Sequence, residues 1–113
     1  SDPDESKLQF NISSRGAGYT FGEDIVKVFL ERNKCTHILR AHQLCQEGYD
    51  VQFNGLLSTV WSAPNYCYRC GNLASVLEVD EQLNRNFNIF DTSPENDKYI
   101  QSQPPSAIVD YFL

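Results

Sequence analysis

The chain has 113 residues and carries 9 Lys and Arg against 15 Asp and Glu, a net charge of −6 at pH 7 with both histidines neutral. That length fits one domain at most, and a composition that is 41% hydrophobic and 12% aromatic supplies a core and argues against disorder throughout. The acidic balance argues against nucleic acid and anionic membrane as partners, because neither phosphates nor acidic headgroups are drawn to a net negative surface. No apolar run approaches the roughly 18 residues of a membrane span, and the polar residues Ser1 to Lys7 hold no signal-peptide core, so a soluble protein with no membrane partner is expected. The sequence contains no Met; Ser1 is therefore not a translation start, and the chain reads as a processed product or a fragment. Four cysteines, Cys35, Cys45, Cys67 and Cys70, sit within residues 35–70 without a secretory signal. A reducing setting, cytoplasmic or nuclear, follows.

From Ser1 to Arg15 the chain is mostly polar, and Gly16, Gly18 and Gly22 then fall close together, marking a loop whose backbone turns tightly or approaches a neighbour closely. Ile25, Val28 and Phe29 follow at helical spacing with Leu30 at the border of that face, Glu23 and Asp24 at the start and Arg32 and Lys34 at the end, which predicts a helix over 23–33. Beyond it the signals turn to strand. Thr36 to Leu39 is a short β-prone run, and Asp50–Phe53 and Leu56–Trp61 flank Asn54-Gly55, a pair suited to a two-residue hairpin turn. Leu73–Val79 and Phe87–Phe90 are two further strands, joined by a polar turn over 80–86. The apolar stretch Leu56, Leu57, Val60 and Trp61 suggests a strand covered on both faces, with the cover coming from outside the chain and its apolar faces otherwise exposed. From Ser93 onward Pro, Ser, Gln and Asn dominate, as in an extended tail. One helix with four or five strands makes an α+β pattern.

Several groups carry possible chemistry. Cys67-Tyr68-Arg69-Cys70 is a C-x-x-C, either half of a zinc site or a redox dithiol. The candidates for a second pair, Cys35, His37, His42 and Cys45, lack the usual zinc spacing, and the C-x-x-C sits in a loop rather than at a helix start, so ordinary packed thiols are the favoured reading. His42 stands just past a short β run, where loops present ligands and bases, although a lone histidine there is more often structural; His37 has still less claim. Arg15 beside Gly16-Ala17-Gly18 places a five-donor fork on a flexible loop, suited to bidentate capture of a phosphate or carboxylate. Taken singly, none of these features identifies a function.

Taken in order, they do. Arg15-Gly16-Ala17-Gly18-Tyr19-Thr20-Phe21-Gly22, Arg40-Ala41-His42-Gln43-Leu44 with Glu47-Gly48-Tyr49, Trp61-Ser62-Ala63-Pro64-Asn65-Tyr66-Cys67-Tyr68-Arg69-Cys70-Gly71-Asn72 and the closing Asp110-Tyr111-Phe112-Leu113 resemble the C-terminal part of the phosphoprotein phosphatase family. The match is to its type 2A-like branch, and Trp61 before Ser-Ala-Pro is more similar to the type 4 and type 6 relatives than to type 2A itself. The resemblance implies the calcineurin-like metallophosphoesterase fold, a β-sandwich flanked by helices, with residues 1–92 as the C-terminal part of an incomplete catalytic domain and 93–113 as a regulatory tail. It implies a serine/threonine protein phosphatase with two divalent metal ions, manganese or iron with zinc, that hydrolyses phosphoserine and phosphothreonine by direct attack of a metal-bound hydroxide. On this resemblance His42 is a metal ligand, Arg15 holds the substrate phosphate, Tyr66 is a phenol lining the same cleft, and Cys70 is the thiol that cyclic peptide toxins modify. Tyr111 and the carboxylate of Leu113 are sites of regulatory modification, and scaffold or regulatory subunits join phosphoproteins as partners.

The departures from the family are large. Its other ligands lie in the motifs Gly-Asp-x-His-Gly, Gly-Asp-x-x-Asp-Arg-Gly and Gly-Asn-His-Glu, with a further ligand histidine downstream of them; none of these motifs occurs here, and a single imidazole cannot hold two metals. The leading expectation is a part of a longer phosphatase, inactive alone. The alternatives are a short non-catalytic chain that binds phosphatase scaffold or regulatory subunits through its tail, and a small zinc module built on Cys67 and Cys70.

Overall fold

The computed structural model describes residues 1–95, so Tyr111, Leu113 and nearly all of the expected tail lie outside them. Among the described residues the chain forms β1 (Asp2–Pro3), β2 (Phe10–Ile12), β3 (Tyr19–Phe21), α1 (Glu23–Asn33), β4 (Ile38–Arg40), β5 (Tyr49–Gln52), β6 (Leu57–Val60), a 3-10 turn (Tyr66–Tyr68), β7 (Ala74–Val79) and β8 (Arg85–Phe90). No helix among them is long and apolar enough to cross a membrane. The contacts divide the described chain into two compact units, one of Ser1–Gln43 with Asp50–Thr59, the other of Leu44–Tyr49 with the described residues from Val60 on.

The first unit holds three strands that the polar composition of residues 1–15 does not announce. β3 pairs in parallel with β1, Asp2 opposite Thr20, and antiparallel with β2, Phe10 opposite Phe21. The glycine-rich stretch is divided between two jobs. Gly16, at φ 83, lets the β2–β3 connection reverse, a conformation that costs other residues more. Gly22 is the N-cap of α1, and a Cβ there would collide with the carbonyl oxygen of Lys7, so only glycine admits the passing strand connection. Asp24, in the first turn of α1, accepts the backbone N–H of Gln9 at 2.8 Å and fixes the same crossing.

Helix α1 has the bounds expected from its sequence, but its buried face is turned. Val26 and Leu30, one helical step apart, are the buried residues and pack with Phe53 and Leu57; Val28 and Phe29 are largely exposed. Ile25 and Phe29 instead line an apolar groove with Phe10, Phe21 and Ile38. The face is set by where the sheet of β4, β6 and β5 offers apolar partners, and not by the helix alone.

In that sheet β4 and β6 run parallel, with Arg40 opposite Thr59. The connection from β5 to β6 is longer than a two-residue turn: Phe53, Asn54 and Gly55 all take positive φ, and Phe53 leaves the strand to bury its ring while its N–H is accepted by Glu5 at 2.8 Å. Leu57, Ser58 and Thr59 are buried in succession, so β6 is covered on both faces, but the cover comes from this chain. Leu57 joins the core, Ser58 meets His37 and Thr59 meets Arg40. The large exposed apolar side chains lie elsewhere, among them Leu8, Phe10, Ile12, Leu83 and Ile89.

In the second unit β7 and β8 form a six-pair antiparallel hairpin, from Ala74 opposite Phe90 to Val79 opposite Arg85, with Tyr49 stacked on Phe87 at 4.2 Å. Asp80 organises the turn by accepting the backbone N–H groups of Gln82 and Asn84 and the side-chain amide of Asn84.

Two outcomes are expected from this architecture. Gly22→Ala forces the Lys7 backbone aside and is expected to destabilise by about 1–3 kcal/mol, read as a lowered thermal midpoint; an unchanged midpoint contradicts the close approach. The Asn84 side-chain hydrogen bond, then the backbone N–H bonds, hold the Asp80 carboxyl below its ordinary 3.8. A lowered folded value means that the stabilisation is present above 3.8 and is lost as pH falls through the lower value. An NMR titration of Asp80 at or above 3.8 would contradict it.

Candidate active site

Arg15 sits in the β2–β3 connection, which closes on itself through Ser13 N–H to Gly18 O at 3.2 Å, Gly16 N–H to Ser13 O at 3.3 Å and Arg15 N–H to Ser13 Oγ at 3.2 Å. Because β1 lies beside β3, this tight loop is carried over the start of the chain. There Arg15 Nε donates to Asp2 Oδ2 at 2.8 Å. The Asp2 side chain is only 8% exposed and the Arg15 side chain 48%. The terminal nitrogens of Arg15 make no hydrogen bond among the described residues, so the bidentate edge of the fork is presented outward while its base is fixed.

The other oxygen of Asp2 accepts from Arg40 Nη2 at 2.9 Å, and Arg40 is itself 11% exposed. Its Nη1 donates to Thr59 Oγ1 at 2.9 Å, across the β4–β6 register, and to Gln43 Oε1 at 2.8 Å. Two guanidiniums share one carboxylate, which leaves a net positive charge at Arg15, the exposed member. An isolated buried carboxylate would be costly, whereas two charge-assisted partners compensate its desolvation.

His42 follows β4 by two residues, within the loop that the Arg40–Gln43 bond closes. It is exposed, its backbone is held at φ 91, and its ring makes no hydrogen bond among the described residues. His37 differs in kind and lies just before β4 rather than inside a strand. Its Nδ1 donates to Gly55 O at 2.7 Å, which leaves Nε2 to accept from the Ser58 hydroxyl at 2.8 Å, so both nitrogens serve the fold.

Tyr66 belongs to the second unit, on the loop between β6 and β7. Asn72, fully buried, accepts the Tyr66 N–H on Oδ1 at 2.8 Å and donates from Nδ2 to Ala63 O at 2.9 Å and Leu73 O at 2.8 Å. Asn65 adds a bond from Gly71 N–H to its Oδ1 at 2.9 Å. The Trp61 ring meets that of Tyr66 edge to face at 4.8 Å. Cys67, at φ 55, lies within the 3-10 turn and Cys70 just after it; both are thiols of intermediate exposure, in no disulfide among the described residues.

Among the described residues no group of three or more His, Cys, Asp or Glu side chains is placed to hold a metal ion. His42 is a single imidazole, so these residues do not by themselves fit a two-metal centre. Asp2, Arg40 and Asn72, the groups that hold Arg15 and Tyr66 in place, were not singled out for that work by the sequence. An arginine directly after the short β run, two residues before His42, was the available signal.

No protein-family model matches the chain. Whole-chain comparison finds similarity to a protein phosphatase 2A catalytic subunit of Dictyostelium discoideum, 50% identical over 117 residues, covering 100% of this chain and 36% of the relative. The PP2A-like serine/threonine-protein phosphatase PPG1 of Saccharomyces cerevisiae is 57% identical over 94 residues, covering 83% of this chain and 26% of the relative. Among solved structures, a serine/threonine phosphatase from Saccharomyces cerevisiae with similarity to human phosphatase PP5 matches at 34% identity and a TM-score of 0.72, over 80% of this chain and 31% of that one. The mixed sheets and single long helix are thus part of an α+β domain of the calcineurin-like fold. The chain spans about a third of the length of the curated relatives it matches, 36% and 26% for these two. On 50% identity that extends over every one of its residues, the chain belongs to the family of PP2A-like serine/threonine-protein phosphatase catalytic subunits.

Proposed function

We propose that the protein carrying this chain removes phosphate from phosphoserine and phosphothreonine in proteins by direct hydrolysis, and that this chain supplies the groups that hold the phosphate. The observation that carries this reading is Arg15: a guanidinium fixed at Nε by a buried carboxylate, with its terminal edge open and a second arginine behind the same carboxylate. A phosphoryl group in transfer spreads negative charge over its equatorial oxygens, and a planar fork that is already oriented stabilises that charge without reorganising. The relatives' names supply the substrate class. Tyr66 is assigned a second place at the phosphate, His42 the role of a metal ligand, and Cys70 that of the thiol open to electrophilic inhibitors. A two-metal centre needs more donors than the described residues hold, so the part proposed for these residues is to bind and orient the phosphate, with His42 as one ligand. Scaffold or regulatory subunits are its expected partners, in the cytoplasm or nucleus.

In the full-length protein that carries this sequence, Arg15→Lys keeps the charge and removes the fork. It is expected to lower kcat/KM for a phosphopeptide by about 10²-fold at an unchanged thermal midpoint, and an unchanged kcat/KM overturns the assignment. The 113-residue chain by itself is expected to release no phosphate from phosphopeptides in manganese buffer, whereas clear turnover would show that its own donors suffice.

A further inference from the structure

We infer that Trp61 is a positioning residue for Tyr66, an inference that rests on the proposed place of Tyr66 at the phosphate. The Tyr66 hydroxyl makes no hydrogen bond among the described residues, so nothing at the end of the phenol fixes its direction. Its orientation is set from behind. The backbone is held by the buried amide of Asn72, and the ring is met edge to face by Trp61, with centroids 4.8 Å apart and planes at 88°.

Trp61 is suited to this because it is itself immobilised at three points. Its N–H donates to Gly48 O at 2.9 Å, its carbonyl accepts from Ser75 N–H at 2.7 Å, and its indole Nε1–H donates to Ala63 O at 2.7 Å. That last carbonyl also accepts from Asn72 Nδ2 at 2.9 Å. A single carbonyl therefore ties the group behind the Tyr66 ring to the group that holds the Tyr66 backbone, and ring and backbone are fixed in one frame. Edge-to-face contacts favour one ring orientation over its neighbours, and a phenol whose ring is already held loses less freedom when it donates.

The test is a double-mutant cycle in the full-length protein, read as phosphopeptide kcat/KM for Trp61→Leu, Tyr66→Leu and the pair. If Trp61 acts through Tyr66, Trp61→Leu lowers kcat/KM by several-fold, up to about tenfold, and has no further effect once Tyr66 is Leu. Trp61→Phe, which keeps an aromatic edge, restores most of the loss. Where Trp61→Leu yields too little folded protein, Trp61→Met keeps the apolar volume without the ring and is read in the same cycle. Equal losses in both backgrounds, or no loss in the first, overturn the positioning role alone. A silent Tyr66→Leu overturns the placement of Tyr66 at the phosphate, and the positioning role with it.

Discussion

A buried carboxylate between two guanidiniums, Asp2 with Arg15 and Arg40, ties together parts of the first unit that are far apart in sequence. Asp2 lies on β1, Arg15 on the loop between β2 and β3, and Arg40 at the end of β4, where it also bonds Thr59 on β6. Taking such charges out of water costs several kcal/mol per ion before the partners compensate. Its role is therefore better understood as fixing geometry than as adding stability. If the carboxylate is lost, two cations are left facing each other, with the open fork of Arg15 no longer aimed. The same constraint reaches His42, because Arg40 also closes the loop over that residue through Gln43.

What the sequence could show divides along the range of the interactions involved. The bounds of α1 were legible because acidic residues, apolar spacing and a basic end act within one helix, and the β7–β8 hairpin because its two runs adjoin. The buried face of α1 was not, since Phe53 and Leu57 chose it from across the chain. Strands β1, β2 and β3 carry only two or three residues each and exist through pairing, which leaves no local pattern to find. The cover of β6 is not legible because the hydroxyl contacts of Ser58 and Thr59 with His37 and Arg40 have no signature in hydropathy.

The candidate site follows the same rule. Arg15, His42 and Tyr66 became identifiable through motif order, and each proves to stand on a loop, where binding groups are commonly placed. The residues that hold them, Asp2, Arg40 and Asn72, do so by hydrogen bonds whose geometry only folding creates. Separations of 13 residues between Arg15 and Asp2 and 38 between Arg40 and Asp2 cannot be read as spacing. Loops of this kind are built by side-chain amides and carboxylates satisfying backbone groups, and Asn72, saturated and fully buried, is the clearest case.

The backbone of His42, at φ 91, lies where a side chain with a Cβ is strained and glycine is at ease. The imidazole is exposed and contributes no bond to the fold among the described residues, so no contact of the side chain offsets the strain of its backbone. A lineage selected for folding alone would drift toward glycine or asparagine at 42.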